Sequence, residues 1–209
     1  MAAPLDARER TQLCLRFDEL GPDAPTLCEG WTTFDLAAHL VIRERNPLAS
    51  PGIIVPGLER LADRGMEREK KKGYAKVVDR VRTGPPPGPF AVPGLRDQLN
   101  LVEYTVHHED VRRANGLERR TDIDDLQDSV WSKIARSARF IIRGIPKGVG
   151  VDFVRTDRHD VAHVRKGRRL ATVSGQPLEI LLWAYGRGAS ADVELGGATD
   201  ALANARFGV

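Results

Sequence analysis

The spacing of the apolar residues changes once along this chain, and that change constrains the fold more than any other feature. Up to Ile142 the apolar positions recur at three- and four-residue intervals, as in Val130, Ile134, Ala138, Ile141 and Ile142. That is the repeat of a helix buried along one face. From Val151 they alternate, in Val151-Asp152-Phe153-Val154-Arg155 and again in Val161-Ala162-His163-Val164. Alternation is the repeat of a half-buried strand. Gly144, Pro146, Gly148 and Gly150 punctuate the junction. The expected class is therefore α+β, with a helical bundle over residues 1–145 and a small α+β domain with a short sheet over residues 150–209.

In the first part, helices are expected over 5–20, from Thr32 to Asn46, from 58 to 81, from 95 to 114 and from 124 to 143. Thr32, followed three residues later by Asp35, imitates a capping box. Asn46-Pro47 stops the helix begun there, and Gly65 and Gly73 weaken the stretch from 58 to 81. Thr83-Gly84-Pro85-Pro86-Pro87-Gly88-Pro89 cannot continue any helix. Asn115-Gly116 supplies a left-handed C-cap. In the second part, 169–173 reads as a third strand, 176–186 as a short helix opened by Pro177, 191–195 as a fourth strand, and 200–207 as a last helix. Leu181, Leu182 and Trp183 form an apolar run too large to leave exposed, expected to pack either on the small domain's own sheet or on the helical bundle.

Composition excludes several classes. The 209 residues are 41% hydrophobic and 29% charged, enough to bury a core without disulfide staples. Thirty-two basic residues stand against 29 acidic ones, and the net charge of +3 is not the concentrated basic field of a nucleic-acid binder. The densest run, Arg68-Glu69-Lys70-Lys71-Lys72, is sign-mixed and reads as a solvated helix face. No apolar stretch reaches the ~18 residues that a membrane span needs. The opening residues lack the apolar core of a signal peptide, and Cys14 and Cys28 are too far apart for a Cys-x-x-Cys pair. The expectation is a reduced, cytoplasmic protein with no membrane or nucleic-acid partner.

The candidate chemistry lies in two helical segments. Glu103 and His107 are four residues apart, so on a helix their side chains leave one face a turn apart. His39 sits among Leu36, Ala38 and Leu40, where burying an unsatisfied imidazole would cost roughly 1–3 kcal/mol. A metal shared between two helices would satisfy it, and so would ordinary hydrogen bonding; spacing alone leaves the two open. Two histidines and a carboxylate also make an open site that borderline metals accept. His108 points about 100° away from His107 and reads as a packing residue or a support behind the ligands. Asp110, three residues beyond His107, and Asp35, four before His39, could each accept the free N–H of a ligand imidazole. Asp35 has an equal claim as a helix N-terminal acid. His159 and His163 read as solvated strand residues, Arg187 as a cation closing a helix, and Trp31 and Trp183 as core anchors.

Three segments carry a family resemblance. Gly30-Trp31-Thr32-Thr33-Phe34-Asp35-Leu36-Ala37-Ala38-His39-Leu40 resembles the tryptophan and D-L-x-x-H-L helix of the mycothiol-dependent maleylpyruvate isomerase N-terminal domain, which belongs to the DinB/YfiT-like four-helix superfamily. Glu103-Tyr104-Thr105-Val106-His107-His108-Glu109-Asp110 resembles the second ligand segment of that domain, and Val173-Ser174-Gly175 through Trp183-Ala184-Tyr185-Gly186-Arg187 resembles the small C-terminal domain of actinobacterial relatives. The resemblance implies a four-helix bundle with an extra helix, and His39, Glu103 and His107 as ligands of one divalent metal. Zinc is the first expectation, with nickel, manganese or iron as alternatives. It further implies a mycothiol-like thiol as cosubstrate, and an enzyme that transfers it to, or uses it to isomerise, a small electrophile. The alternatives are metal-dependent hydrolysis, with Asp110 or His108 as base, and a non-enzymatic metal-binding or ligand-sensing protein. No catalytic acid or base and no substrate-binding residue is assigned from the sequence, and a homodimer is left open.

Overall fold

The computed structural model describes residues 3–46, 57–87, 95–142, 144–203 and 205. Among them the chain forms seven α-helices and a four-stranded mixed sheet, the α+β class expected. Pro47, Gly88, Pro89 and Arg143, and positions 204, 206 and 207 of the last expected helix, lie outside the described residues. Compact packing divides the chain into Met1–Arg119 and Arg120–Val209. The change of period falls later, between Ile141 and Val149.

The first unit holds α1 (Leu5–Leu20), α2 (Thr33–Arg45), α3 (Glu59–Lys70), α4 (Tyr74–Arg82) and α5 (Leu95–Ala114). The capping box at the start of α2 is complete. Asp35 Oδ2 accepts the Thr32 backbone N–H at 3.0 Å, and Thr32 Oγ1 accepts the Asp35 N–H at 3.5 Å. The single helix expected from 58 to 81 is instead α3 and α4. The backbone turns left-handed at Gly73, with φ of 85°, which ends one helix before Tyr74 starts the next. At the end of α5, Gly116 takes φ of 67° and its N–H reaches Arg113 O at 3.2 Å, while the Leu117 N–H reaches Arg112 O at 3.0 Å. This is the Schellman closure that Asn115-Gly116 suggested. α5 packs along α1, and α2 packs against α3 and α4, around a core that includes Leu13, Phe17, Leu36, Leu40 and Tyr104. Cys14 is buried in the same core, and burial pushes its thiol up to about 12, so it stays a protonated, unreactive packing group.

The second unit holds α6 (Asp124–Ile141), β1 (Val149–Arg155), β2 (Val161–Arg165), β3 (Arg169–Gly175), α7 (Pro177–Ala184) and β4 (Glu194–Gly197). The strand order is β2-β1-β3-β4, with β1 antiparallel to β2 and parallel to β3, and β3 antiparallel to β4. β4 starts three residues later than the alternation suggests. Glu179 Oε2 accepts the Asp192 N–H at 2.8 Å and holds the chain against α7, so pairing with β3 begins only at Glu194, opposite Ser174. In place of the last expected helix, the described residues form a 3-10 turn at Thr199–Ala201. Trp183 meets Phe153 of β1 edge to face at 6.3 Å, so the apolar run of α7 is covered by its own sheet. His163 keeps 72% of its side chain exposed and pairs with Asp152 at 2.9 Å; His159 lies exposed in the turn after β1. Arg187 closes α7 by donating to Tyr185 O at 2.5 Å. No helix among the described residues is long and apolar enough to cross a membrane.

The Gln127 side chain ties α6 to α7. Pro177 opens α7 without an N–H, so the Leu178 N–H is the first donor that the helix leaves unpaired. Gln127 of α6 accepts it at 2.8 Å, while its own amide donates to Gln176 Oε1 at 3.0 Å. Gln127→Ala strands that buried N–H and is expected to cost about 1–3 kcal/mol of stability in urea unfolding. A loss below ~0.5 kcal/mol, the range of an ordinary surface change, would show that the contact is dispensable.

Candidate metal centre

His39 lies in the middle of α2, and Glu103 and His107 lie one turn apart in the middle of α5. The structure brings all three together. His39 Nε2 is 3.2 Å from Glu103 Oε1, and His107 Nε2 is 3.4 Å from the same oxygen. The two imidazole rings meet edge to face with centroids 5.3 Å apart, and the three donor atoms lie within 4.8 Å of one another. A tetrahedral zinc with bonds of ~2.1 Å spaces its donors roughly 3.4 Å apart, which the two measured edges of 3.2 and 3.4 Å match. The donor set, two imidazoles and a carboxylate, is that of a site with a position left for an exogenous ligand. The three residues thus fit a divalent ion, and they also satisfy one another as hydrogen-bond partners.

The neighbours of the two histidines put them in opposite states. Burial pushes His39 down; the hydrogen bond to Glu103 opposes this, but the charges of His107 and Arg43 add to it, and the ring stays neutral. Burial acts the same way on His107, yet hydrogen bonds to Asp110, Cys28 and Glu103 prevail and hold its pKa well above the ordinary histidine value. For Glu103, burial favours the neutral acid, but the Arg43 guanidinium and both imidazoles hold the carboxyl well below its usual range. One imidazole therefore offers a lone pair at once, whereas the other must first lose a proton.

Among the residues flagged in sequence, Asp110 takes the supporting position: its Oδ2 accepts from His107 Nδ1 at 2.9 Å. That bond fixes the ring so that Nε2 faces Glu103. Asp35 takes the other of its two roles, with Oδ2 bound to Thr32 and Oδ1 paired with Lys70 Nζ at 2.7 Å. His108 is 2% exposed and turns to Glu9 of α1, with Nδ1 3.1 Å from Glu9 Oε2. Trp31 packs against the core and also lays its ring 5.0 Å from that of His39.

Two residues at the cluster went unread in the sequence. Arg43 Nε stands 3.3 Å from Glu103 Oε1, and its Nη1 donates to Asn100 Oδ1 at 2.9 Å. Its signal was present, since Arg43 follows His39 by the same four residues that separate Glu103 from His107. Cys28 comes from the loop before α2, and its thiol donates to Asp110 Oδ2 at 3.3 Å. No spacing rule joins two residues 82 positions apart.

No family model matches the sequence, and no curated protein is similar to it in sequence. Among solved structures, the crystal structure of the mycothiol-dependent maleylpyruvate isomerase is similar over 93% of this chain and 90% of that chain, at 16% identity and a TM-score of 0.60. A histidine-to-alanine mutant of that isomerase is similar over 93% of this chain and 90% of that chain, at 15% identity and a TM-score of 0.59. This likeness is one of fold: the chain has the α+β fold of the mycothiol-dependent maleylpyruvate isomerase structures.

Proposed function

We propose that the chain is a divalent-metal-dependent enzyme that uses a low-molecular-weight thiol of the mycothiol type to modify or isomerise a small electrophile. In this reading His39, Glu103 and His107 hold the ion, zinc first, with nickel, manganese or iron acceptable to the same donors. The observation that carries it is the meeting of His39 Nε2 and His107 Nε2 at one oxygen of Glu103. The shared fold with an enzyme described as mycothiol-dependent supports the thiol. This reading includes the reducing, cytoplasmic location expected from the sequence.

A divalent ion bound at an open site lowers the pKa of a thiol at the free position and readies it for attack on an electrophilic carbon. The chain's own residues prepare that position. Glu103 supplies the charge that offsets a cation, and Arg43 keeps its carboxylate ionised and aimed. Asp110 holds the Nδ1 proton of His107, which leaves Nε2 free to ligate once its own proton is gone. Trp31 shields the face of His39. The hydrolytic alternative has less support, because His108 faces Glu9 and Asp110 lies behind the His107 ring, away from the shared oxygen. Neither is placed to take a proton from water beside Glu103.

Protein purified without a metal-affinity column is expected to carry about one divalent ion per chain. His107→Ala should lose it and His108→Ala should keep it, by elemental analysis; equal loss in both would remove His107 from the ligand set. Turnover of a small electrophile should require added thiol. Turnover with water alone would establish the hydrolytic reading.

Because His107 is cationic at neutral pH before metal enters, the ion must displace its Nε2 proton. Below the raised pKa, zinc affinity should climb about tenfold per pH unit as one proton is released for each ion bound. Calorimetry in two buffers of different ionisation enthalpy reads that proton directly. An affinity that is flat with pH would mean that His107 Nε2 takes no part.

A further inference from the structure

The ring of His107 has a second nitrogen, and the groups around it form a donor set of their own. Nδ1 lies 2.9 Å from Asp110 Oδ2 and 3.9 Å from Cys28 Sγ, and that sulfur lies 3.3 Å from the same carboxylate oxygen. A tetrahedral ion with ~2.3 Å bonds to sulfur and ~2.1 Å bonds to nitrogen and oxygen spaces such donors roughly 3.4–3.6 Å apart. The measured edges bracket that spacing, so shifts of about half an ångström would close them on an ion. This set meets the ring on the nitrogen that does not face Glu103 and His39.

The loop that carries Cys28 is fixed to the same helix as the other two donors. The Leu27 N–H donates to Asp110 O at 3.2 Å, and Asn115 Nδ2 donates to Pro25 O at 3.0 Å. Within the loop, Thr26 Oγ1 accepts the Cys28 N–H at 3.2 Å and donates to Trp31 O at 2.9 Å. The thiol is therefore positioned before any ligand arrives, and it is only partly buried, unlike Cys14.

We propose that Cys28 Sγ, His107 Nδ1 and Asp110 Oδ2 form a binding site for a thiophilic divalent ion such as cadmium or zinc, separate from the His39 and Glu103 side of the same ring. A sulfur donor is what sets its preference apart. Thiolate selects soft and borderline ions, whereas a carboxylate with imidazoles admits harder ones such as manganese. Binding releases the Sγ and Nδ1 protons to solvent and leaves thiolate, imidazole and carboxylate around the ion. The proposal does not rest on the enzyme reading, since it uses neither His39 nor Glu103. It makes His107 a ligand that faces one way at a time: with Nε2 protonated the ring serves Cys28 and Asp110, and with Nδ1 protonated it serves His39 and Glu103.

The test is titration of the metal-stripped full chain with cadmium, followed by the ultraviolet thiolate-to-cadmium charge-transfer absorption. The absorption should saturate at a single equivalent in the wild type and persist in His39→Ala. It should vanish in Cys28→Ser, and in Asp110→Asn the affinity should fall at least about tenfold. Cys28→Ala serves as the second variant if Cys28→Ser does not fold. No absorption in the wild type would overturn the site, as would absorption that survives the loss of Cys28. Loss of the absorption in His39→Ala would also overturn it, because Cys28 would then complete the other cluster. None of these outcomes depends on thiol-dependent turnover, so the enzyme reading can fail while this one stands.

Discussion

A single carboxylate oxygen organises the first unit. Glu103 Oε1 lies within 3.4 Å of nitrogens from His39, Arg43 and His107, which come from two helices. None of these groups could be buried alone without a penalty of several kcal/mol. Together each satisfies another, which turns four separate liabilities into one polar network inside an apolar bundle. The approach of α2 to α5 is thus specified by charge and hydrogen bonding as well as by Leu36, Leu40 and Tyr104. Removing the carboxylate would leave Arg43 and two imidazoles facing each other with nothing negative between them.

Around that oxygen, identical side chains behave differently because their second contacts differ. His39 is backed by the Trp31 ring and stays neutral, whereas His107 is backed by Asp110 and Cys28 and keeps its proton. Chemistry at the cluster is set less by which residues are present than by what stands behind each ring. The supports come from different places: Asp110 from the same helix as His107, Trp31 and Cys28 from one loop.

What could be read in the sequence was whatever local periodicity encodes. Glu103, His107 and Asp110 were legible because a helix turns four-residue and three-residue spacings into shared faces, and His39 because an imidazole in an apolar run demands a partner. The capping box at Thr32 and the turn at Asn115-Gly116 were legible as backbone chemistry. The split of one expected helix into α3 and α4 was signalled by Gly73, but a single glycine does not say whether a helix bends or ends. Tertiary contacts were not legible. Lys70 decides the role of Asp35 from 35 positions away, and Glu179 delays β4 through a bond to Asp192. The period of α6 showed which of its residues face inward and not that Gln127 would tie it to α7. Cys28 had no local signal at all.

The separation of the donors along the chain has a kinetic side. His39 and Glu103 are 64 positions apart, and Cys28 and His107 are 79 apart. Closing such loops carries an entropy that grows as the logarithm of their length and is met only when long-range contacts form. No peptide fragment and no early hairpin of helices can therefore display the cluster; α2, α5 and the loop before α2 must already be in place. A half-folded chain carries every one of these side chains and none of the site, so in this bundle the chemistry exists only once the long-range contacts have formed.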